Sequence, residues 1–241
     1  MEPARAPRWS VVIPAFNEAD RLPRYLNEVV TCFDSRQAPY EVLVVDDGST
    51  DGTADALAAI VQSHPCVRVL WSERNSGKGA AVRRGMLAAR GRYRLFADAD
   101  GATPIVELKR LEAALAAGAD IAIGSRALAD LDVSVVARPH RVLAGKFFSW
   151  IVRRLGLSGI ADSQCGFKAF TDVVAEDLFG RLRTQGFGFD VELLLMAQRA
   201  GYRVAEVAVN WTHQPGGKVR VLGDGARMLW QIVRARWSVG R

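Results

Sequence analysis

Histidine and cysteine are scarce in this chain, with three of each among 241 residues. Cys32, Cys66 and Cys165 are scattered, odd in number and form no CxxC pair, which excludes a disulfide framework and a zinc knuckle. No run approaches the ~18 uninterrupted apolar residues of a membrane-crossing helix. The apolar run in the N-terminal stretch MEPARAPRWSVVIPAF is also too short for a secretory signal, so a cytoplasmic protein is expected. Internal repeats, low-complexity tracts and a clean linker are missing too, which leaves one domain over 1–241. Surface aromatics interleaved with a recognisable RNA or DNA motif are absent, so nucleic acid is not an expected partner.

What is present supports a large core, because 49% of the residues are apolar or aromatic. The net charge of +6 points to acidic partners such as anionic lipid or phosphorylated substrates. Arg138, Arg141, Lys146, Arg153 and Arg154 fall in a stretch with no acid. The tail carries Lys218, Arg220, Arg227, Arg234, Arg236 and Arg241 against Asp224 alone. The first hundred residues are more evenly balanced, so the two halves of the chain have different tasks.

Apolar, β-branched runs at 10–16, 40–46, 67–71, 93–98 and 120–125 read as buried parallel strands. Helical sequence separates them at 21–33, 51–60, 80–90 and 104–118, the last with Pro104 in its first turn. This alternation defines an α/β sheet of mainly parallel strands. In the second half, helices are expected at 139–155, 186–201 and from 225, with strands at 163–170 and 202–209. Ligands of such sheets bind beyond the carboxyl ends of the strands. There the sequence places Asn17 and Glu18, Asp46 and Asp47, Gly77 and Lys78, and Asp98 and Asp100.

Several familiar motifs fail on inspection. VVDDGSTDGT (44–53) starts like a calcium loop, but Ala58 stands where a bidentate glutamate is needed. Capping by Asp51 accounts for part of that stretch and leaves Asp46 and Asp47 to accept bonds from a base or ribose. NSGKGAA (75–81) lacks the Walker pattern at Ser72 and Gly79, and Val82 breaks GxGxxG. It still offers backbone N–H groups and Lys78 to an anion. LFADADGAT (95–103) begins a phosphoryl-accepting pattern, yet Ala102 replaces the threonine and the strand is the fourth, not the first. Two readings stay open for Asp98 and Asp100: a solvated loop, or a hard-cation site for Mg²⁺ or Mn²⁺ completed by a substrate diphosphate.

VVIPAFNEADRL, VVDDGSTDGT, NSGKGAAVRRGM, ADADGAT and GSR (124–126) resemble, in order and spacing, the inverting family-2 glycosyltransferases of GT-A fold. ADSQCGFKAF, GFGFDVELL and VNWTHQPGGKVRV are similar to the dolichyl-phosphate glucosyltransferase branch, so the likeness spans nearly the whole chain. It implies hexose transfer, with glucose from UDP-glucose favoured, onto a polyprenyl or dolichyl phosphate. Residues 8–125 would bind the nucleotide sugar and 126–241 the acceptor. On the donor side the likeness implies Pro14, Ala15, Asn17, Glu18, Asp46, Asp47, Gly77, Lys78, Asp98 and Ala99, with Lys218 closing from a late loop. Asp98 and Asp100 would hold the metal. Arg126, Arg138, Arg141 and Gln164 are candidates for the acceptor phosphate, and Asp100, Asp162, Asp190 and Glu192 for the chemistry. Asp190 and Glu192 also read as a helix cap or buried ion pair, and the loop of Lys218 as a surface turn. The rival functions are a GDP-mannose-dependent transferase, transfer to a soluble or saccharide hydroxyl, and a nucleotide-sugar-binding module without catalysis.

Two amphipathic stripes complete the reading. Leu143, Phe147, Trp150 and Ile151 share one helical face, as do Ala226, Trp230, Val233 and Trp237, and both faces are flanked by cations. Basic helices bearing tryptophan lie on anionic bilayers, and peripheral attachment to the cytoplasmic membrane face is expected. The alternative is packing on the domain or on a second copy of the chain.

Overall fold

The middle strand of the first half, β1 (Trp9–Ala15), is buried over its whole length, and its side chains alternate between two cores. Val11, Ile13 and Ala15 enter one apolar cluster and Val12 the other. β2 (Tyr40–Asp46) repeats this with Val42 and Val44 against Leu43 and Val45. A period of two with apolar residues at every position is what a sheet covered on both faces requires. The computed structural model describes residues 6–136, 150–154, 156–215, 230, 231 and 234.

The chain continues through α1 (Leu22–Asp34), α2 (Thr53–Ser63), β3 (Val67–Trp71), α3 (Lys78–Ala88), β4 (Tyr93–Ala97), α4 (Leu108–Ala116) and β5 (Ile121–Ser125). After a short β6 (Val135–Val136) come β7 (Phe167–Thr171), α5 (Asp172–Arg181), α6 (Phe189–Arg199), β8 (Val204–Ala208) and β9 (Trp211–Thr212). Seven strands form one sheet in the order β3-β2-β1-β4-β7-β5-β8, and β6 pairs with β9 beside it. One face is covered by α1, α2 and α4, the other by α3, α5 and α6. This is the mainly parallel GT-A architecture that the sequence implies.

Three elements differ from the expectation. The strand expected over 163–170 begins only at Phe167, because 163–164 form a turn. It runs antiparallel to both neighbours, with Ala97 opposite Phe167. Its entrance therefore lies at the same sheet edge as the exits of β1 to β5, and this brings residues 162–166 to the carboxyl ends of the parallel strands. Helix α5 was not anticipated, although Val174, Ala175, Leu178 and Phe179 follow the spacing of one buried helical face. In the expected helix at 104–118, Pro104 precedes a 3₁₀ turn (Ile105–Glu107) and the α-helix starts at Leu108. Residues 150–154, 230, 231 and 234 are helical, and Leu143, Phe147, Ala226, Val233 and Trp237 of the two amphipathic stripes lie outside the described residues.

Candidate active site

Beyond β1, Asn17 adopts a left-handed backbone (φ 55°) and joins the two nearest loops. Its Oδ1 accepts from the Thr50 amide at 2.7 Å and its own amide donates to Ser49 Oγ at 2.8 Å. The Glu18 carboxylate takes a two-point bond from Arg21, at 2.7 and 2.8 Å. Pro14 and Ala15 are the last two residues of β1, and the Ala15 carbonyl accepts from the Asp47 amide. Asp51 accepts from the Thr53 amide at 2.9 Å, but the N-cap of α2 is Gly52, not the expected Asp51, and the N-cap position supplies no side-chain bond.

The two acids after β2 behave differently. Asp46 Oδ1 accepts from the Ser49 amide at 2.8 Å, while its buried Oδ2 has no hydrogen-bond partner among the described residues. Asp47 spends both oxygens on the amides of Ser76 and Gly77, at 2.9 and 2.8 Å. Burial raises its carboxyl above the usual range even so. Asp47 therefore shapes the loop that presents Lys78. Gly77 has φ +102°, and a Cβ there would lie 2.6 Å from the Gln185 carbonyl. Only glycine accommodates both that backbone and that approach.

Lys78 opens α3 and reaches across the edge to Asp98, with Nζ 2.6 Å from Oδ1. Its ammonium lies over the rings of Phe96 and Phe187, at 5.3 and 5.9 Å from their centroids. Burial opposes its charge, but Asp98 and then Asp190 outweigh it and raise its pKa. The Asp98 amide donates to the Gly166 carbonyl at 3.0 Å, and the Asp98 side chain rests directly on Gly166. Ala99 is buried between the two acids. Asp100 Oδ1 accepts from the Ala102 amide at 3.0 Å. Burial, then the charge of Asp98, pushes the Asp100 carboxyl above its ordinary value. Lys78 is paired with Asp98, while the charges of Arg21 and Lys78 offset the burial of Asp100 and its repulsion by Asp98 only in part.

On the other side of Gly166, Arg126 leaves β5 and forks onto Asp162, with Nε and Nη2 at 2.7 and 2.9 Å. Its backbone amide adds a third bond at 3.0 Å, and its guanidinium stacks over Trp211 at 5.4 Å. Burial opposes the Asp162 charge, but Arg126 prevails and holds the carboxyl below the usual range. The Gln164 amide also donates to Asp162, at 3.1 Å, while its buried side-chain Nε2 has no partner among the described residues.

Of the four carboxylates expected at the chemistry, Asp100 and Asp190 share an electrostatic environment with the Lys78–Asp98 pair. Asp190 bonds Lys168 at 2.6 Å, and burial raises its carboxyl above the usual range. Glu192 accepts from the amides of Arg183 and Thr184, at 3.1 and 2.7 Å, and so braces the loop ahead of α6. Asp162 and Glu192 thus have both oxygens engaged by internal donors. Arg138, Arg141 and Lys218 lie outside the described residues, as do Arg220, Leu143, Lys146, Phe147 and the tail from Arg236.

The sequence reading missed Arg21, Lys168, Trp211 and Gly166. Lys168 was detectable as a lone charge inside an apolar strand, whereas the partnerships of the others join residues distant in sequence. Among the described residues, no cluster of three or more His, Cys, Asp or Glu forms a metal cage.

A GT-A sheet that gathers a Lys–Asp pair, a D-x-D loop and an anchored arginine at one edge defines a glycosyltransferase. Comparison with known proteins gives the particular family. The profile described as "Glycosyl transferase family 2" matches residues 10–179, and the chain belongs to that family of inverting glycosyltransferases. It is 41% identical over 250 residues to the dolichyl-phosphate beta-glucosyltransferase of Drosophila melanogaster, covering 96% of this chain and 76% of the relative. The enzyme of the same name from Dictyostelium discoideum is 37% identical over 240 residues, with 95% and 73% covered. Among solved structures, glucosyl-3-phosphoglycerate synthase from Mycobacterium tuberculosis in complex with Mn²⁺ and UDP-glucose superposes with a TM-score of 0.71. That match is 21% identical and covers 97% of this chain and 79% of the other, and it speaks for the fold alone.

Proposed function

We propose that the protein transfers glucose from UDP-glucose to dolichyl or polyprenyl phosphate with inversion at the anomeric carbon. In that step an oxygen of the acceptor phosphate bonds to C1 of glucose, the C1–oxygen bond to the diphosphate breaks, and its electron pair leaves with UDP. The acceptor is already anionic at neutral pH, so it needs orientation and exclusion of water more than a base. The observation that carries this reading is the Arg126–Asp162 fork with Gln164 beside it. The fork fixes Nε and Nη2 and leaves the Nη1 edge of Arg126 outside it. Gln164 Nε2 supplies a second, unspent donor. A hydroxyl acceptor would instead require a general base. Asp162 and Glu192 are committed elsewhere, and Asp190 is bound to Lys168.

On the donor side, Asp46 Oδ2 is a buried acceptor suited to a nucleoside N–H or a ribose hydroxyl. Lys78 and Asp98 lie where the diphosphate would meet the sheet edge, next to the amides at the start of α3. The D-x-D loop fits a divalent ion. Asp98 is paired with Lys78, whereas Asp100 has no ion pair among the described residues and lies beside a second carboxylate, and Mg²⁺ or Mn²⁺ ordinarily takes one or two protein carboxylates and completes its shell with a diphosphate. Asp98 and Asp100 would hold it, and when bound it supplies positive charge for the departing diphosphate. Lys218, Arg138 and Arg141 remain proposed as further phosphate contacts.

No helix among the described residues is long and apolar enough to cross a membrane. Access to a lipid acceptor is proposed through peripheral contact at the cytoplasmic face. Trp150 and Trp230 are 49% and 62% exposed, and each lies beneath an arginine one helical turn on, Arg154 and Arg234. The deciding experiment incubates purified protein with Mg²⁺ or Mn²⁺, a polyprenyl phosphate and a panel of UDP- and GDP-sugars. A glucolipid formed from UDP-glucose is the expected product. Glucosylation of a soluble hydroxyl without any glycolipid would defeat the proposal.

A further inference from the structure

Lys168 is fully buried in a central strand, between Phe96 of β4 and Ile123 of β5 in register. Its ammonium donates to the Asp190 carboxylate and to the Cys165 carbonyl, both at 2.6 Å. Two ions taken out of water cost several kcal/mol each, and well-packed apolar residues of the same volume serve stability equally well or better. Stability alone therefore does not explain this pair.

The surroundings of the pair offer an explanation. The ring of Phe96 carries both the Lys168 ammonium, at 5.7 Å, and the Lys78 ammonium, at 5.3 Å. Asp190 feels Lys168 from β7, Lys78 from α3 and Asp98 from the end of β4. Two close ion pairs, Lys168–Asp190 and Lys78–Asp98, each at 2.6 Å, share this region. The Cys165 carbonyl held by Lys168 precedes Gly166, the residue on which Asp98 rests. Lys168 thus touches the donor end by two routes, one through charge and one through the turn at 163–166.

We propose that Lys168 is a positioning residue for sugar transfer: it anchors the Asp190 carboxylate and seats the turn that supports Asp98. The role rests on the donor reading of Lys78 and Asp98 given above. Loss of an outer partner that orients such a site typically costs about 10–100-fold in affinity or activity.

The test compares Lys168→Met, Lys168→Arg and the double variant Lys168→Met/Asp190→Asn. Melting temperature, UDP binding with Mn²⁺ by calorimetry, and transfer from UDP-glucose to polyprenyl phosphate are measured for each. Lys168→Met should weaken UDP binding and lower kcat/KM at least about tenfold, and Lys168→Arg should recover most of both. The double variant leaves no unpaired buried charge, so it should melt near the parent while remaining impaired, and it carries the test if the single variant does not fold. A double variant that binds UDP and transfers sugar like the parent would reduce the pair to a core brace and overturn the proposal. UDP affinity is read without the acceptor. A parent that binds UDP but makes no glycolipid therefore refutes the acceptor reading alone, and a parent that does not bind UDP refutes the donor reading and this role together.

Discussion

Replacing Gly166 with alanine separates the geometry of the site from the stability of the fold. A Cβ at residue 166 would fall 1.9 Å from Asp98 Oδ2 and 2.2 Å from its Cγ. Both distances are far inside van der Waals contact, so one group has to move. The obstacle is the free end of a side chain, not backbone, and Asp98 can rotate away. Its ion pair with Lys78 is partly exposed, with side chains 34% and 21% accessible, so losing it costs only about 0.2–1 kcal/mol. Residual crowding adds about 1–2 kcal/mol. For a chain of this size each kcal/mol lowers the melting temperature by roughly 2–4 °C. Activity should fall much further, because a displaced Asp98 no longer orients the positive charge of Lys78 or of a bound metal, and loss of a charge that stabilises a leaving group costs about 10²–10³ in rate. The assay is glucolipid formation from UDP-glucose, run beside a thermal melt. Gly180 is the control, since a Cβ there meets nothing within 4 Å. Gly180→Ala should leave transfer unchanged and stabilise the end of α5 by up to ~1 kcal/mol. A Gly166→Ala variant with full activity, or one whose activity falls only as far as its stability, would refute the placement of Asp98 at the reacting end.

Asp100→Ala should lower transfer at least about 10²-fold, and chelation of the wild-type protein should do the same and be reversed by Mn²⁺; unchanged transfer in the variant would defeat the metal reading. Arg126→Ala leaves the buried Asp162 without its partner and should cost about 2–4 kcal/mol in urea denaturation, less than a wholly buried pair because Arg126 is a third exposed. Because Asp162 titrates lower in the folded protein than in the unfolded chain, its stabilisation is complete above the unfolded value of about 4 and is lost as pH falls through the folded value. Asp162→Asn should therefore flatten the acid limb of the stability curve below about pH 4, and an unaltered limb would contradict the fork. Flotation with anionic vesicles should carry the protein upward, and Trp150→Ala combined with Trp230→Ala should reduce the floated fraction severalfold. Equal flotation of that double variant would remove these tryptophans from the lipid surface.

Much of the donor half was legible without a structure. Strands with apolar residues at every position have one stable placement, inside a sheet covered on both faces, and β1 and β2 occupy it. Parallel pairing of β1 to β4 then places their exits side by side, so Asn17, Asp46, Lys78 and Asp98 meet. Helix α5 was not anticipated although Val174, Ala175, Leu178 and Phe179 form one buried face, because Asp172, Glu176, Asp177 and Arg181 interrupt that pattern along the sequence.

The partnerships were not legible. Nothing in DDGST reveals that Asp47 spends both oxygens on Ser76 and Gly77 while Asp46 keeps one unspent. The direction of β7 is likewise undecided by FKAFT, since an apolar run pairs either way. That direction determines that Asp162, Gln164 and Gly166 reach the edge where Asp98 follows β4. It also turns a phosphate candidate, Arg126, and a catalytic candidate, Asp162, into one ion pair. The sequence by itself determined which strands are buried, which loops carry acids and cations, and the family to which the chain belongs. Those properties follow from local pattern and short spacing. The tertiary structure alone decided which charge faces which, because a 2.6 Å contact such as Lys168–Asp190 depends on the register and direction of strands that the chain brings together only when folded.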